Sequence, residues 1–387
     1  MSEYKKYLTK EDFDNAKNVS IVDYCAKRGI RLDQVGPDAF QGVEHDSLKI
    51  TPSVNAWYWF SQQKGGYGAT SFVKDYENGG NINTPDAARL VLGQDIKPED
   101  HYVAKPAEPF KLDKSMISKN FDKARDYLIK VRKLDPKTVD AFHKAGLVEQ
   151  DKHGNVLFLW RSTDRKHPAI LGASVQGTTI DHKKYGKRGT EKRVLKNSTS
   201  GWGFLFDVGK NRTPNKIVFC ESCIDAMSYY DLAHANGISL QDTRVVSMEG
   251  LKPKVVGYLS QATAAQLSWE DKGRKIESVK IAVDQDEAGS NFIQKVQELQ
   301  KNPVKVDHFT KSGLTLAPPL QAAQPDKKLG VKDWNELVQK MAREAEEKER
   351  GRQESRSQVQ AKSQPEPAVA DQIMARRRLA ARRGMER

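Results

Sequence analysis

The chain has 387 residues, with 64 Lys and Arg against 51 Asp and Glu, a formal net charge of +13 and three cysteines. That length exceeds one ordinary core, so two or three domains are expected, and so few cysteines exclude a disulfide framework. The mean hydropathy is −0.71, and no apolar run approaches the roughly 20 residues that span a bilayer, so no membrane role is expected, while the basic balance favours a polyanionic partner.

The first residues, Met1-Ser2-Glu3-Tyr4-Lys5-Lys6, lack the apolar centre of a signal peptide, which predicts a cytoplasmic protein. A helix is predicted around Ile21 to Ala26, stopping at Gly29. Short strands follow at Ala39 to Gln41, Leu48 to Ile50 and Trp57 to Phe60. The turn Lys64-Gly65-Gly66-Tyr67-Gly68 then leads into a helix carrying Phe72, Val73 and Tyr76. Trp57 and Trp59 alternate on one strand face and serve either core packing or base stacking. Thr84-Pro85 opens another helix, and the Pro-containing stretch from Gly93 to Asp113 reads as a linker.

Helices are predicted around Asp122 to Val131 and Pro136 to Ala145, and paired strands at Val156 to Trp160 and Ala169 to Ala173. The segment Lys183-Lys184-Tyr185-Gly186-Lys187-Arg188, continued by Lys192, Arg193 and Lys196, has the charge density for phosphate contacts, with Tyr185 and Trp202 available for stacking. A solvated loop is the competing reading. From Lys216 strands alternate with helices: Ile217–Cys220, Ile224–Leu232, Val245–Ser247, Val255–Leu267, Val279–Val283, Ala288–Leu299 and a strand at Val304–Phe309. That alternation implies a largely parallel sheet with helices on its faces. Lys311 to Gly330 reads as a loop, a helix starts at Asp333, and beyond about Glu344 the composition predicts frayed helix or disorder.

Two acidic clusters stand at the ends of apolar strands. One is Glu221-Ser222-Cys223-Ile224-Asp225, the other Asp284-Gln285-Asp286-Glu287-Ala288-Gly289. In an open α/β sheet ligands bind at the carboxyl ends of the strands, so these placements bring Glu221, Asp284 and Asp286 into one crevice. Asp225, four residues after Glu221, shares its side. Crowded carboxylates repel unless protonated or neutralised, and oxygen ligands suit Mg²⁺ or Mn²⁺. Any single one of these acids could equally be a helix cap. Cys220 and Cys223 read as buried structural thiols, since the chain has no second Cys-x-x-Cys pair.

The pattern of strand, Glu221 and Asp225, then a later strand with Asp284-x-Asp286, resembles the TOPRIM domain of primases, topoisomerases and related nucleases. Lys192-Arg193-Val194-Leu195-Lys196-Asn197-Ser198, followed by Phe204 or Phe206 and Gly209, is similar to the basic segment before that domain in bacterial replicative primases, and Lys332-Asp333-Trp334-Asn335 is similar to a further acidic element near the metals. The first 95 residues resemble the zinc-binding domain of such primases, in the Thr51-Pro52-Ser53 turn, the strand Trp57 to Phe60, the Gly65-Gly66 turn and the Ser71-Phe72-Val73 helix. The zinc ligands are missing: Val43 and His45 stand at one pair, Phe60, Ser61 and Gln62 at the other, so no zinc is expected.

The resemblance implies an α/β fold: a Rossmann-like, largely parallel TOPRIM sheet as catalytic core, an α+β subdomain before it and a small α+β domain in front. The corresponding boundaries are 1–95 for the zinc-free unit, 96–118 for a linker, 119–214 for the basic subdomain, 215–340 for TOPRIM and 341–387 for a charged, disordered tail. It implies a primase-like nucleotidyltransferase of the kind found on plasmids and conjugative elements. Glu221, Asp284 and Asp286 would be catalytic, and these with Asp225 and Asp333 would hold Mg²⁺ or Mn²⁺. Lys183, Lys184, Lys187, Arg188, Lys192, Arg193, Lys196 and Asn197 would contact nucleotide or nucleic acid. Single-stranded DNA and NTPs or dNTPs are the implied partners, with helicase or conjugation proteins beside them. A metal-dependent nuclease and a non-catalytic DNA-binding accessory are the alternatives.

Overall fold

The computed structural model describes residues 7–62, 64–93, 108–186, 189–209, 212–270, 273–303, 306–363 and 373–377. Helices α1 (Lys10–Asn18) and α2 (Ile21–Arg28) come first, α2 stopping where Gly29 turns left-handed. An antiparallel sheet follows in chain order: β1 (Leu32–Gly36), β2 (Ala39–Gly42), β3 (Leu48–Thr51), β4 (Ala56–Trp59) and β5 (Lys64–Tyr67). Helix α3 (Gly68–Phe72), prolonged by a π turn over Val73–Glu77, and α4 (Thr84–Leu92) complete this unit. Trp57 is buried in its core and donates its indole N–H to Ser71 Oγ, which resolves that residue in favour of packing. Trp59, Tyr76 and His45 form an aromatic group beside it, with the His45 and Trp59 rings 5.1 Å apart.

The next unit carries α5 (Asp122–Asp126), prolonged by a π turn over Tyr127–Val131, and α6 (Pro136–Lys144). Its antiparallel sheet runs β6 (Val148–Gln150), β7 (Val156–Arg161), β8 (Ile170–Gln176) and β9 (Lys192–Val194), with the short helix α7 (His182–Tyr185) between the last two. Strand β7 is apolar from Val156 to Trp160 because both of its faces are covered there. Val156, Phe158 and Trp160 face α5 and α6, while Leu157 and Leu159 meet Phe110, Leu112, Met116 and Ile117. The described end of the expected linker is therefore a packed cover, since its apolar residues have a sheet face to bury. Residues 94–107, also read as linker, lie outside the described residues.

The third sheet places β10 (Leu205–Val208), β11 (Lys216–Cys220), β12 (Thr243–Ser247), β13 (Ser278–Ala282) and β14 (Gln321–Ala323) in the order β10-β12-β11-β13-β14. Only β10 is antiparallel; β12, β11, β13 and β14 run parallel. Helices α8 (Cys223–Ala235), α9 (Pro253–Glu270) and α10 (Glu287–Lys301) follow β11, β12 and β13. Alternation sorts the faces: Val218 and Cys220 pack with α8, whereas Ile217 and Phe219 pack with α9 and α10. The fold class is thus α/β with a largely parallel sheet, as the sequence pattern implies.

The structure corrects the reading of the last third. Phe309 lies in helix α11 (His308–Leu316), not in a strand, and residues 304–305 lie outside the described ones. Asp307 caps that helix by accepting from Thr310 N. Packing then locks it against α9 at backbone contact, since a Cβ on Gly313 would stand 1.7 Å from Gly257 O. The edge strand is β14, inside the segment read as loop. Helix α12 (Trp334–Ser363) runs well past residue 341, so of the frayed helix and the disorder expected there it is helix that forms as far as Ser363, its Glu, Lys, Arg and Ala residues being strong helix formers. Among the described residues no helix is long and apolar enough to cross a membrane.

Asp207 on β10 and Arg244 on β12 are direct cross-strand partners. The fully buried Arg244 makes a fork to Asp207, Nε to Oδ1 at 2.8 Å and Nη2 to Oδ2 at 3.0 Å, and donates to Thr263 Oγ1. Burial works against the Asp207 charge, but Arg244 and then Arg165 hold its carboxyl below the usual range. Asp207→Ala would strand a buried guanidinium and is expected to cost about 3 kcal/mol in denaturant unfolding. Arg165→Ala, which removes only the partly exposed partner, is expected to cost under about 1 kcal/mol. Equal losses would refute this division of roles.

Candidate carboxylate and phosphate site

The chain leaves β11 for β12 on one side and then crosses to β13 on the other, so the carboxyl ends of β11 and β13 flank a topological switch point. Crevices form there because the connections diverge. Glu221 is the first residue beyond β11, and Ser222 is the N-cap of α8. Ser222 Oγ accepts from Asp225 N at 3.2 Å and donates to Asp225 Oδ2 at 2.6 Å, which fixes the buried Asp225 carboxylate in the first turn.

Beyond β13, Asp286 caps α10, its Oδ1 accepting from Gly289 N at 2.8 Å. Gly289 is needed there: a Cβ would stand 2.2 Å from Asp284 O. Asp284 itself is 8% exposed, and its Oδ1 is buried with no hydrogen-bond partner. Burial, followed by the charges of Asp225, Glu221 and Asp333, pushes the Asp284 carboxyl up to about 8. Burial and then Asp333 push Asp225 up to about 6, and burial also raises Glu221. Asp286 goes the other way: burial opposes its charge, but the Gly289 N–H and Lys332 hold it below the usual range.

Asp333 stands at the start of α12, accepting from Glu336 N at 2.7 Å. Two residues, Gln285 and Asn335, bring that start to the crevice. Gln285 N donates to Lys332 O at 2.6 Å. The buried Asn335 donates to Ser228 Oγ on α8 and to Arg132 O. Lys332 thereby lies among the acids, its Nζ 3.2 Å from Asp286 Oδ2 and 3.6 Å from Asp284 Oδ2. Although burial opposes it, the Asp286 hydrogen bond and the Asp284 charge raise the Lys332 ammonium above its usual range.

The basic residues divide. Lys192, on exposed β9, is close enough for its charge to oppose the burial-driven rise of the Glu221 and Asp225 carboxyls. Arg193 pairs with Glu191 on its own strand end, and Lys196 and Asn197 sit in the turn beyond, Asn197 with φ of 63°. Lys183 and Lys184 are exposed on α7, Lys184 lying over the Tyr185 ring; Lys187 and Arg188 lie outside the described residues. Trp202 is partly buried and donates to Arg161 O, so its indole is engaged in the fold. Cys220 and Cys223 are both buried, and burial raises both thiols far above their usual range.

Two contributors escaped the sequence reading. Glu249 follows β12 with φ of 54° and accepts at Oε1 from Ser247 Oγ and Cys223 Sγ, both at 2.7 Å, while Gly250 N closes onto Glu221 O at 2.9 Å. The acid-glycine pair after a strand was its only signal. Lys332 had a nearer one, its place beside Asp333, but adjacency cannot show that its ammonium turns back to Asp284.

Among the described residues no three of His, Cys, Asp and Glu stand close enough to hold a metal as they are. The donor set nevertheless fits a hard divalent cation: it is all carboxylate oxygen, and one of those oxygens is buried with nothing to bind.

Residues 126–212 match the model of a protein family of unknown function (DUF3991), and residues 218–314 match a Toprim-like family model. Over 354 residues the chain is 36% identical to an uncharacterized Bacillus anthracis protein, pXO2-78/BXB0107/GBAA_pXO2_0107, covering 90% of this chain and 94% of that one. The primase fragment of the bacteriophage T7 primase-helicase protein is 16% identical, with a TM-score of 0.34 over 78% of this chain and 93% of that one. The zinc-binding and RNA polymerase domains of the Aquifex aeolicus primase are 16% identical, with a TM-score of 0.31 over 87% and 84%.

The raised acids fix a sign for the pH dependence of the metal-free protein. A carboxyl whose folded value lies above its unfolded one favours folding when protonated, so its contribution is lost as pH rises between the two values. For Asp284 that window runs from the usual 3.8 to about 8, and Asp225 and Glu221 act in the same direction. Without divalent ions the thermal midpoint is expected to fall by several degrees between about pH 5 and pH 8, and Asp284→Asn should flatten that slope. A midpoint that rises over this range, or an unchanged slope in the variant, would contradict the assignment.

Proposed function

The chain belongs to the family of the Bacillus anthracis protein and carries a Toprim-like domain, and on that premise we propose that it is a DNA-dependent, primase-like nucleotidyltransferase. It would make short primers on single-stranded DNA from NTPs or dNTPs, in the cytoplasm, during plasmid replication or conjugative transfer. One observation carries the reading: at the switch point of a parallel sheet, Asp284 holds a buried, unbonded carboxylate oxygen facing the charges of Glu221, Asp225 and Asp333. Charge left uncompensated in a crevice is the condition for binding a hard cation.

In this reading Glu221, Asp284 and Asp286 hold Mg²⁺ or Mn²⁺, with Asp225 and Asp333 supporting them. Bound there, the cation would neutralise nucleotide phosphates and make a primer 3′-hydroxyl easier to deprotonate. The protein's own groups prepare that chemistry. Ser222 fixes Asp225, the Gly289 N–H and the α10 N-terminus keep Asp286 ionised, and the contact of Gln285 with Lys332 O seats Asp333 at the rim. Lys192, exposed beside Glu221, is placed to meet an incoming triphosphate or the template backbone, and Lys183, Lys184, Arg193, Lys196 and Asn197 extend that basic side. Helicase or conjugation proteins are the partners such a role would need.

With single-stranded DNA, nucleotides and Mg²⁺ or Mn²⁺, the wild-type protein is expected to extend labelled products. Asp284→Ala combined with Asp286→Ala should reduce synthesis about 100-fold or more, with an unchanged circular dichroism spectrum. Shortened DNA in the absence of nucleotides would replace this reading by a nuclease, and DNA binding with neither synthesis nor cleavage by an accessory protein.

A further inference from the structure

Lys332 enters the crevice from the segment before α12, not from the strands that carry the acids. Its backbone is held on both sides: its N–H donates to Glu336 Oε2 at 2.7 Å, and its carbonyl accepts from Gln285 N at 2.6 Å. The side chain is not held in this way. It remains 55% exposed, and its ammonium touches Asp286 Oδ2 at 3.2 Å and Asp284 Oδ2 at 3.6 Å. A strongly hydrated point charge on a flexible stem can leave such a position without disturbing the backbone beneath it.

The pairing is also incomplete. The ammonium meets Asp284 through Oδ2 and leaves Oδ1 buried without a partner. One positive charge stands against two aspartates, with the charges of Glu221, Asp225 and Asp333 also acting on Asp284. A divalent cation brings twice the charge and takes six or more oxygens, so it satisfies what the lysine cannot. Both cations draw on the same two carboxylates, and an ammonium held against them repels a divalent cation at the same place.

We propose that Lys332 is an exchangeable counter-ion: it pairs with Asp286 and lies against Asp284 until a divalent cation takes their oxygens, and so sets how tightly the site binds that cation. This rests on reading the crevice as a cation site. The lysine is a positioning residue for the aspartates in the metal-free protein. On exchange its ammonium moves toward solvent at the mouth of the crevice, and a partly exposed ion pair is weak enough to be displaced.

The test is a Mn²⁺ titration of the metal-stripped full chain without nucleotide, following free Mn²⁺ by electron paramagnetic resonance. Lys332→Met is expected to bind Mn²⁺ about tenfold more tightly than wild type, and Lys332→Arg, which keeps the charge, to bind no more tightly. Asp284→Asn should remove the binding in either background. Wild-type binding that depends on Asp284 but is unchanged or weaker in Lys332→Met overturns the counter-ion and leaves the cation site standing; no Asp284-dependent binding in any form overturns both. A second readout needs no variant. Saturating Mn²⁺ should increase acylation of Lys332 by an amine-reactive reagent several-fold, read by mass spectrometry, and unchanged labelling at saturation overturns the proposal.

Discussion

The constraint on which this molecule turns is the crowding of acids at the carboxyl ends of two adjacent parallel strands. Glu221 and Asp284 follow β11 and β13, which are hydrogen-bonded neighbours, and Asp225 and Asp286 stand in the first turn or cap of the helices that follow. Bringing such groups together in a half-buried crevice is unfavourable unless something offsets their repulsion. The structure offsets it in several local ways: a hydroxyl bonded to Asp225, a helix N-terminus under Asp286, and a lysine between Asp284 and Asp286. None of these reaches Asp284 Oδ1, and the remaining imbalance appears in the raised carboxyls of Asp284, Asp225 and Glu221.

The rest of the architecture can be understood as holding that crevice in shape. On one face α8 packs against residues of the preceding subdomain, so β11 is backed by Phe142, Phe158 and Phe204 as well as by its own helix. On the other, α9 and α11 meet through Gly257 and Gly313 at backbone contact, a closeness that leaves little freedom for shear. Asn335 ties the start of α12 to α8 and to Arg132, which sets the position of both Lys332 and Asp333. A buried amide with all its polar contacts made specifies one arrangement, because any shift leaves it unpaired. Farther out, the forked Asp207–Arg244 pair secures the antiparallel edge strand to the parallel sheet.

Much of this was legible in the residues. The acidic clusters could be placed because each follows an apolar run and precedes a helix, and that context depends on neighbours a few residues away. The TOPRIM resemblance rested on the same local context, and the Toprim-like match over residues 218–314 agrees with it. Failures came where local signals conflicted with burial. Phe309 sits in an apolar run that reads as a strand, yet the Asp307 cap and the α9 contact make it helical. Leu112 and Met116 belong to a segment whose prolines read as a linker, yet a bare sheet face was available to cover. Charge alone left helix and disorder both open beyond residue 341, where α12 continues and Glu346 pairs with Lys133.

By itself, then, the sequence determined the element types around the acids, the all-carboxylate character of the cluster and the direction of the strands that carry it. Those follow from periodicity, capping and charge, all of which act over a few residues. Tertiary structure alone decided which groups share the crevice. It turned Lys332 back onto Asp284 and Asp286, put Lys192 beside Glu221, folded Glu249 under the end of β11 and left Asp284 Oδ1 unbonded. The physical reason is that electrostatic energies depend on distance and burial in space. Segments far apart in the chain acquire those values only when the sheet orders its strands and α12 docks onto α8.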